Sequence, residues 1–176
     1  VAVWVWNFLF YSFGGYLLEK WFAHRTHAEK TTRKCLLLLP LCPVYGLGVT
    51  AVLALPEALR GGFRLILVGA VVTTAVEYAV HWAYETFLNV KFWDYTGARG
   101  NLRGRVCLRF TAAWGILSAA AIWLFQPLLD ALTSRIPPAA TFAMILMLTA
   151  DAVCSARVLY LTHDTESLHL RTLRQA

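Results

Sequence analysis

Five apolar runs divide this chain: Val1–Leu18, Cys35–Leu55, Phe63–Leu88, Val106–Leu129 and Ala139–Leu161. Each is close to the roughly 20 residues that a helix needs to cross a hydrocarbon core. The expectation is all-α: a polytopic membrane helix bundle of five transmembrane helices, forming a single domain over 1–161 with a polar tail at 162–176. Composition supports this, because 59% hydrophobic residues and a mean hydropathy of +0.56 exceed what soluble domains carry. The net charge of +6 is not spread as a nucleic-acid stripe would be; its basic residues fall between the apolar runs, so nucleic acid is excluded as a partner. Cys35, Cys42, Cys107 and Cys154 form no C-x-x-C pair and read as small buried hydrophobes. The chain begins on Val1 rather than Met, which points to residues preceding it. The first run has no small-residue cleavage pattern, and Glu19-Lys20 reads as a membrane exit.

The connecting segments carry a topology signal. Lys and Arg number eleven in Lys20–Lys34, Asn89–Arg105 and the tail, against three in Pro56–Arg64 and Asp130–Pro138. The positive-inside rule therefore predicts an N-terminus outside and a cytoplasmic C-terminus, in the inner (plasma) membrane of the cell.

Within this frame one stretch, Thr73–Arg109, places ionisable groups where they are expensive. Glu77, His81 and Glu85 are spaced four apart, so on a helix all three share one stripe. The predicted orientation sets Glu77 near the midplane, with His81 and Glu85 progressively nearer the cytoplasm. Together with Asp94 these are the candidates for acid/base or proton-relay chemistry. Glu19 closes the first segment on the same side, and Tyr45 lies in Cys42–Gly46, where proline and glycine can open a helix. Arg109 begins the fourth segment at that level, and Asp151 lies near the middle of the fifth. After the stripe, Asp94–Gly97, Asn101 and the glycines at 100 and 104 read as a turn with Asx hydrogen bonds. Arg103, Arg105 and Arg109 there could face a phosphate or carboxylate, or serve topology alone. Glu19, Tyr45, Asn101, Arg103, Arg105, Arg109 and Asp151 are thus the candidate substrate-binding residues. The simplest geometry that satisfies these groups is a polar cavity open to the cytoplasm. Glu77, His81 and Glu85 supply at most part of a metal shell, so no metal is assigned and the cofactor is left unknown. Trp93 and Tyr95 read as members of the interfacial aromatic belt, and Trp114 as a packing or interface anchor.

At these residues the chain resembles a bacterial family of ABC-transporter permease proteins, often called CmpB-like or type IV. The pattern reads Gly15…Glu19, then Leu41-Cys42-Pro43-Val44-Tyr45-Gly46-Leu47-Gly48, then Glu77-Tyr78…Glu85. Phe92-Trp93-Asp94-Tyr95, Asn101 and Gly104-Arg105-Val106-Cys107 follow, while His81 lies outside the pattern. The resemblance implies transport, with an ATPase subunit, a homo-oligomer or a larger membrane complex as partner, and it carries over no catalytic residues. Three readings compete: a permease-like component binding an ion or small solute at Glu77; an intramembrane enzyme or binding protein whose arginines hold a phosphorylated lipid or isoprenoid; and a structural subunit whose polar stripe pairs helices.

Overall fold

The computed structural model describes residues 1–26 and 35–168. Among these, five helical rods make up the fold. They are α1 (Ala2–Arg25), α2 (Pro43–Leu53), α3 (Gly62–Ala83, prolonged by a π turn over Tyr84–Leu88), α4 (Leu108–Ala120, running through a π turn at Ala121–Phe125 into α5, Gln126–Thr133) and α6 (Pro138–Thr162). Three stretches combine the length and apolarity that a crossing needs: Gly62–Leu88, Leu108–Thr133 and Pro138–Thr162. The first rod matches them in length, but its Trp and Tyr residues, Asn7 and Ser12 make it less apolar.

Which side chains point inward identifies the solvent. The outer faces are strongly apolar: Phe63, Val71, Phe142 and Leu146 are all about two-thirds exposed or more. Buried positions instead hold Asn7, Ser12, Thr73, Glu77, His81, Ser118, Gln126, Asp151 and Ser155. In water such a surface would aggregate. In lipid the arrangement is favourable, because apolar side chains lose nothing by facing the acyl chains and polar ones find partners inside. The protein is a membrane protein.

Close crossings at glycine bring the rods together. A Cβ on Gly115 would stand 2.6 Å from the backbone oxygen of Ile66, and one on Gly69 2.6 Å from Cβ of Ser118, so α3 and α4 meet backbone to backbone. A Cβ on Gly46 would lie 2.6 Å from the carbonyl oxygen of Phe8, which fixes α1 against α2 in the same way.

The second apolar run departs from the expected crossing. Only Pro43–Leu53 is helical, eleven residues, and Leu36–Cys42 approach it as extended, bending chain. Proline explains the boundary: it lacks the N–H that a helix interior needs, it disfavours helix in the residue before it, and Pro43 sits at the first helical turn where that N–H is not required. Extended backbone at membrane depth needs partners, and it has them. Leu38 and Leu39 donate their N–H groups to the two carboxylate oxygens of Asp151, both at 2.9 Å, and Cys42 donates to the carbonyl of Ser12 at 2.8 Å. Ser155 adds a hydroxyl bond to Asp151 at 3.0 Å. After α6 the chain turns through His163 in the left-handed region and a 3-10 turn at Thr165–Leu168, where Leu168 is fully buried against Leu159, Val90 and Phe92. Of the expected tail, 169–176 lie outside the described residues, as do 27–34 of the first connecting segment.

Candidate functional site

The stripe on α3 forms as its spacing requires, and the segment between α3 and α4 folds back to cover it. That segment leaves α3 through Asn89 in the left-handed region, which ends the helix, and then builds a turn held from within. Tyr95 donates its N–H to the carbonyl of Gly104 at 2.8 Å, and Leu102 donates to Val106 at 3.0 Å. Asn101 donates its amide to the carbonyls of Thr96 and Ala98, at 3.0 and 2.9 Å, and accepts from the N–H of Gly104 at 3.2 Å. Asp94 accepts from the backbone and the hydroxyl of Thr96. Those two bonds, the hydroxyl's first, hold its carboxyl below the usual range. Gly104, at φ 69°, is required here: a Cβ would press on Thr96 Oγ1 at 2.7 Å and Asp94 Oδ1 at 2.8 Å.

Held in this way, the turn sends its aromatic rings inward rather than into an interfacial belt. Trp93 donates its indole N–H to the carbonyl of Arg105 at 2.9 Å and meets His81 edge-on, with ring centres 5.1 Å apart. Tyr95 stacks on Phe110 at 5.0 Å and donates its hydroxyl to Oε1 of Glu77 at 3.1 Å. Burial, and then the charge of Glu77, push the Tyr95 hydroxyl well above its ordinary value, so it stays a donor. The second oxygen of Glu77 accepts the indole N–H of Trp114 at 2.9 Å. Only 4% of Glu77 is exposed, and no ion pair reaches it from the described residues. A Trp N–H can only donate, so the site is built to hold Glu77 as an acceptor.

The remaining candidates take separate places. Glu85 is engaged by Arg105, whose Nε and Nη2 donate to it at 3.0 and 2.8 Å, and by Lys91 at 3.2 Å. Arg105 also donates to the hydroxyl of Tyr78 at 2.8 Å, and the bond to Glu85 keeps it above its ordinary value. Arg105 is therefore fastened to the bundle. Arg103 and Arg109 are exposed. Asp151 is spent on the extended chain before α2, away from Glu77. His81 is buried, with its Nδ1 lacking a hydrogen-bond partner among the described residues.

Glu19 joins Glu77 through the cavity between them. Tyr45 donates its hydroxyl to Glu19 at 2.8 Å and packs its ring on Trp114, with centres 4.8 Å apart. A cavity of about 300 Å³ is lined by Glu19, Tyr45, Glu77, Trp93, Tyr95 and Trp114 among others. Sequence reasoning named both acids and Tyr45 but assigned Tyr95 and Trp114 to belt and packing.

A family model described as "Putative ABC-transporter type IV" matches residues 6–156. The chain belongs to this family. The match takes in every block of the resemblance, from Gly15 to Cys107, and runs on through Trp114 into α6. The Glu77 site of this ABC-transporter family member therefore lies wholly inside the matched region. Neither the curated proteins nor the solved structures gave a match.

Proposed function

We propose that the chain is the membrane component of a permease, polytopic in the inner membrane, which binds an ion or small solute at Glu77 and exchanges it with the cytoplasm. The observation that carries this reading is the setting of Glu77: a buried acidic side chain, held by two neutral donors and facing a cavity, with no basic side chain among the described residues paired to it. Such a group is costly in a membrane as a charge unless a proton or another ligand binds it. Asp151 and Glu85 are a useful contrast, since both are satisfied by backbone N–H groups or by basic side chains and need no ligand. Family membership supports transport, and with it an ATPase or a further membrane subunit as partner. The reading of an enzyme that grips a phosphorylated lipid loses its main support, since Arg105 is engaged by Glu85 and Tyr78.

The test is solute flux into liposomes containing the purified protein with its co-purifying partners, wild type beside Glu77→Gln. The expected result is flux that Glu77→Gln abolishes while the protein remains monodisperse. Equal flux in both would end the assignment of Glu77 as the binding group and leave the stripe a helix-packing device.

A further inference from the structure

Between α1 and α4 the bundle is open. The first rod packs along α2 and touches α5 and α6, and α4 packs along α3, while α1 and α4 share few close backbone approaches. Midway along α1, Tyr11 donates to Gln126 of α5 at 2.8 Å; toward the end of α1, Phe22 meets Phe110 of α4, with ring centres 6.4 Å apart. Two cavities occupy the gap. One is the cavity beside Glu77. The second, of about 290 Å³, extends it along the helices and shares Leu18, Tyr45, Trp114 and Leu117 with it. Trp21 and Ile116 on the first cavity and Phe125 on the second are more than half exposed, so both reach the surface that faces lipid.

The two cavities differ in chemistry. The inner one has two acidic side chains, Glu19 and Glu77, among the aromatic residues Tyr45, Trp93, Tyr95, Phe110 and Trp114. Acids and aromatic rings lining one cavity favour a cation, most strongly where water is excluded. The outer one is walled by apolar groups and offers no charged side chain. An anion would meet Glu77 at short range without compensation, and a small hydrated metal ion would leave the outer cavity unused. We infer that the Glu77 site takes an organic cation with an apolar body, an amine or quaternary ammonium that enters from the bilayer between α1 and α4, with its charge at Glu77 and its apolar part in the outer cavity. This rests on Glu77 being the binding group of the proposed permease, and it adds the class of solute and its route.

Gly14 gives a clean way to test the apolar half. It lines the outer cavity, and a Cβ placed on it would meet nothing within 4 Å. Gly14→Leu therefore adds an apolar side chain at the wall of the cavity, with no neighbour against its Cβ, and improves helix propensity. The experiment is calorimetric titration of the full chain in a neutral maltoside detergent with four probes: benzyltrimethylammonium, octyltrimethylammonium, tetramethylammonium and benzenesulfonate. In wild type the two cations with apolar bodies should bind, octyltrimethylammonium more tightly, while tetramethylammonium binds at least tenfold more weakly and benzenesulfonate not at all. Glu77→Gln should weaken both cations at least tenfold. Gly14→Leu should weaken octyltrimethylammonium at least tenfold and benzyltrimethylammonium less. The comparison of cation with sulfonate needs no variant, so it stands even if Glu77→Gln does not fold. Equal binding of benzenesulfonate would overturn the inference, as would cation binding indifferent to both substitutions, or no cation binding because a second copy of the chain closes the gap. If organic cations fail while flux of another solute still depends on Glu77, this inference falls and the permease reading survives. Loss of both removes the site altogether.

Discussion

Replacing Trp114 with Phe removes the indole N–H that donates to Glu77 at 2.9 Å and leaves one carboxylate oxygen with no donor in a buried setting. A hydrogen bond to a charged acceptor contributes about 1.5–3 kcal/mol, against about 0.5–1.5 kcal/mol for a neutral pair. The smaller ring also loses contacts with Tyr45, so the single substitution should cost about 3 kcal/mol in total, too mixed a number to interpret alone. Pairing it with Glu77→Gln separates the parts. The packing loss is common to both backgrounds and cancels, and the coupling that remains is the excess of a charge-assisted bond over a neutral one, about 1 kcal/mol. The assay is equilibrium unfolding in mixed micelles of the wild type, the two single variants and the double variant. A coupling within about 0.5 kcal/mol of zero, the range in which independent sites add, would mean that Trp114 does not hold a charge at Glu77 and would refute the charge-assisted bond on which this reasoning rests.

Asp151→Ala should be among the most damaging single changes, because it strips the partners from two backbone N–H groups in extended chain; a loss of about 3 kcal/mol or more is expected, read as failure to recover monodisperse protein, with Asp151→Asn intermediate. Gly115→Ala should cost about 1–3 kcal/mol by forcing α3 and α4 apart at the Ile66 carbonyl, seen as a lower melting temperature, whereas the same change at Gly14 should leave it unchanged or raised. Arg105→Lys keeps the charge but not the two-pronged contact with Glu85 or the bond to Tyr78, so hydrogen exchange across Asn89–Arg105 should rise by about five- to tenfold. Asp94 has a folded value below its ordinary one, so its support for the turn is complete above the usual carboxylate range and is lost as pH falls through the lowered value. Protection of the Thr96 amide, taken relative to its intrinsic exchange rate at each pH, should therefore fall only in acid, and Asp94→Asn should abolish that pH dependence.

Five apolar runs and their spacing were enough to specify helices in a membrane, because a helix needs only its own residues to satisfy its backbone in lipid. The stripe of Glu77, His81 and Glu85 was equally legible, since 3.6 residues per turn is a local rule. So was the turn after it, where Asp94, Asn101 and Gly104 make bonds to near neighbours that their types announce. The failure of the second run to remain helical was half legible: Pro43 marks the break, but the extended chain before it exists only because Asp151, more than a hundred residues away, supplies the acceptors. Tyr95 and Trp114 show the same limit. Nothing local distinguishes a ring at a membrane interface from one turned inward to a carboxylate; the difference is made when the turn docks under α3 and α4 brings Trp114 to the same depth. Arginine was ambiguous for the same reason, as charge sets topology wherever it lies, while Arg105 alone finds Glu85 and Tyr78. Sequence by itself determined which elements form and where ionisable groups lie along them, because those follow from periodicity and capping. Tertiary structure alone decided which of those groups are paired and which ones, Glu19 and Glu77, line a cavity, because pairing depends on partners that are distant in the chain and adjacent only once the helices cross.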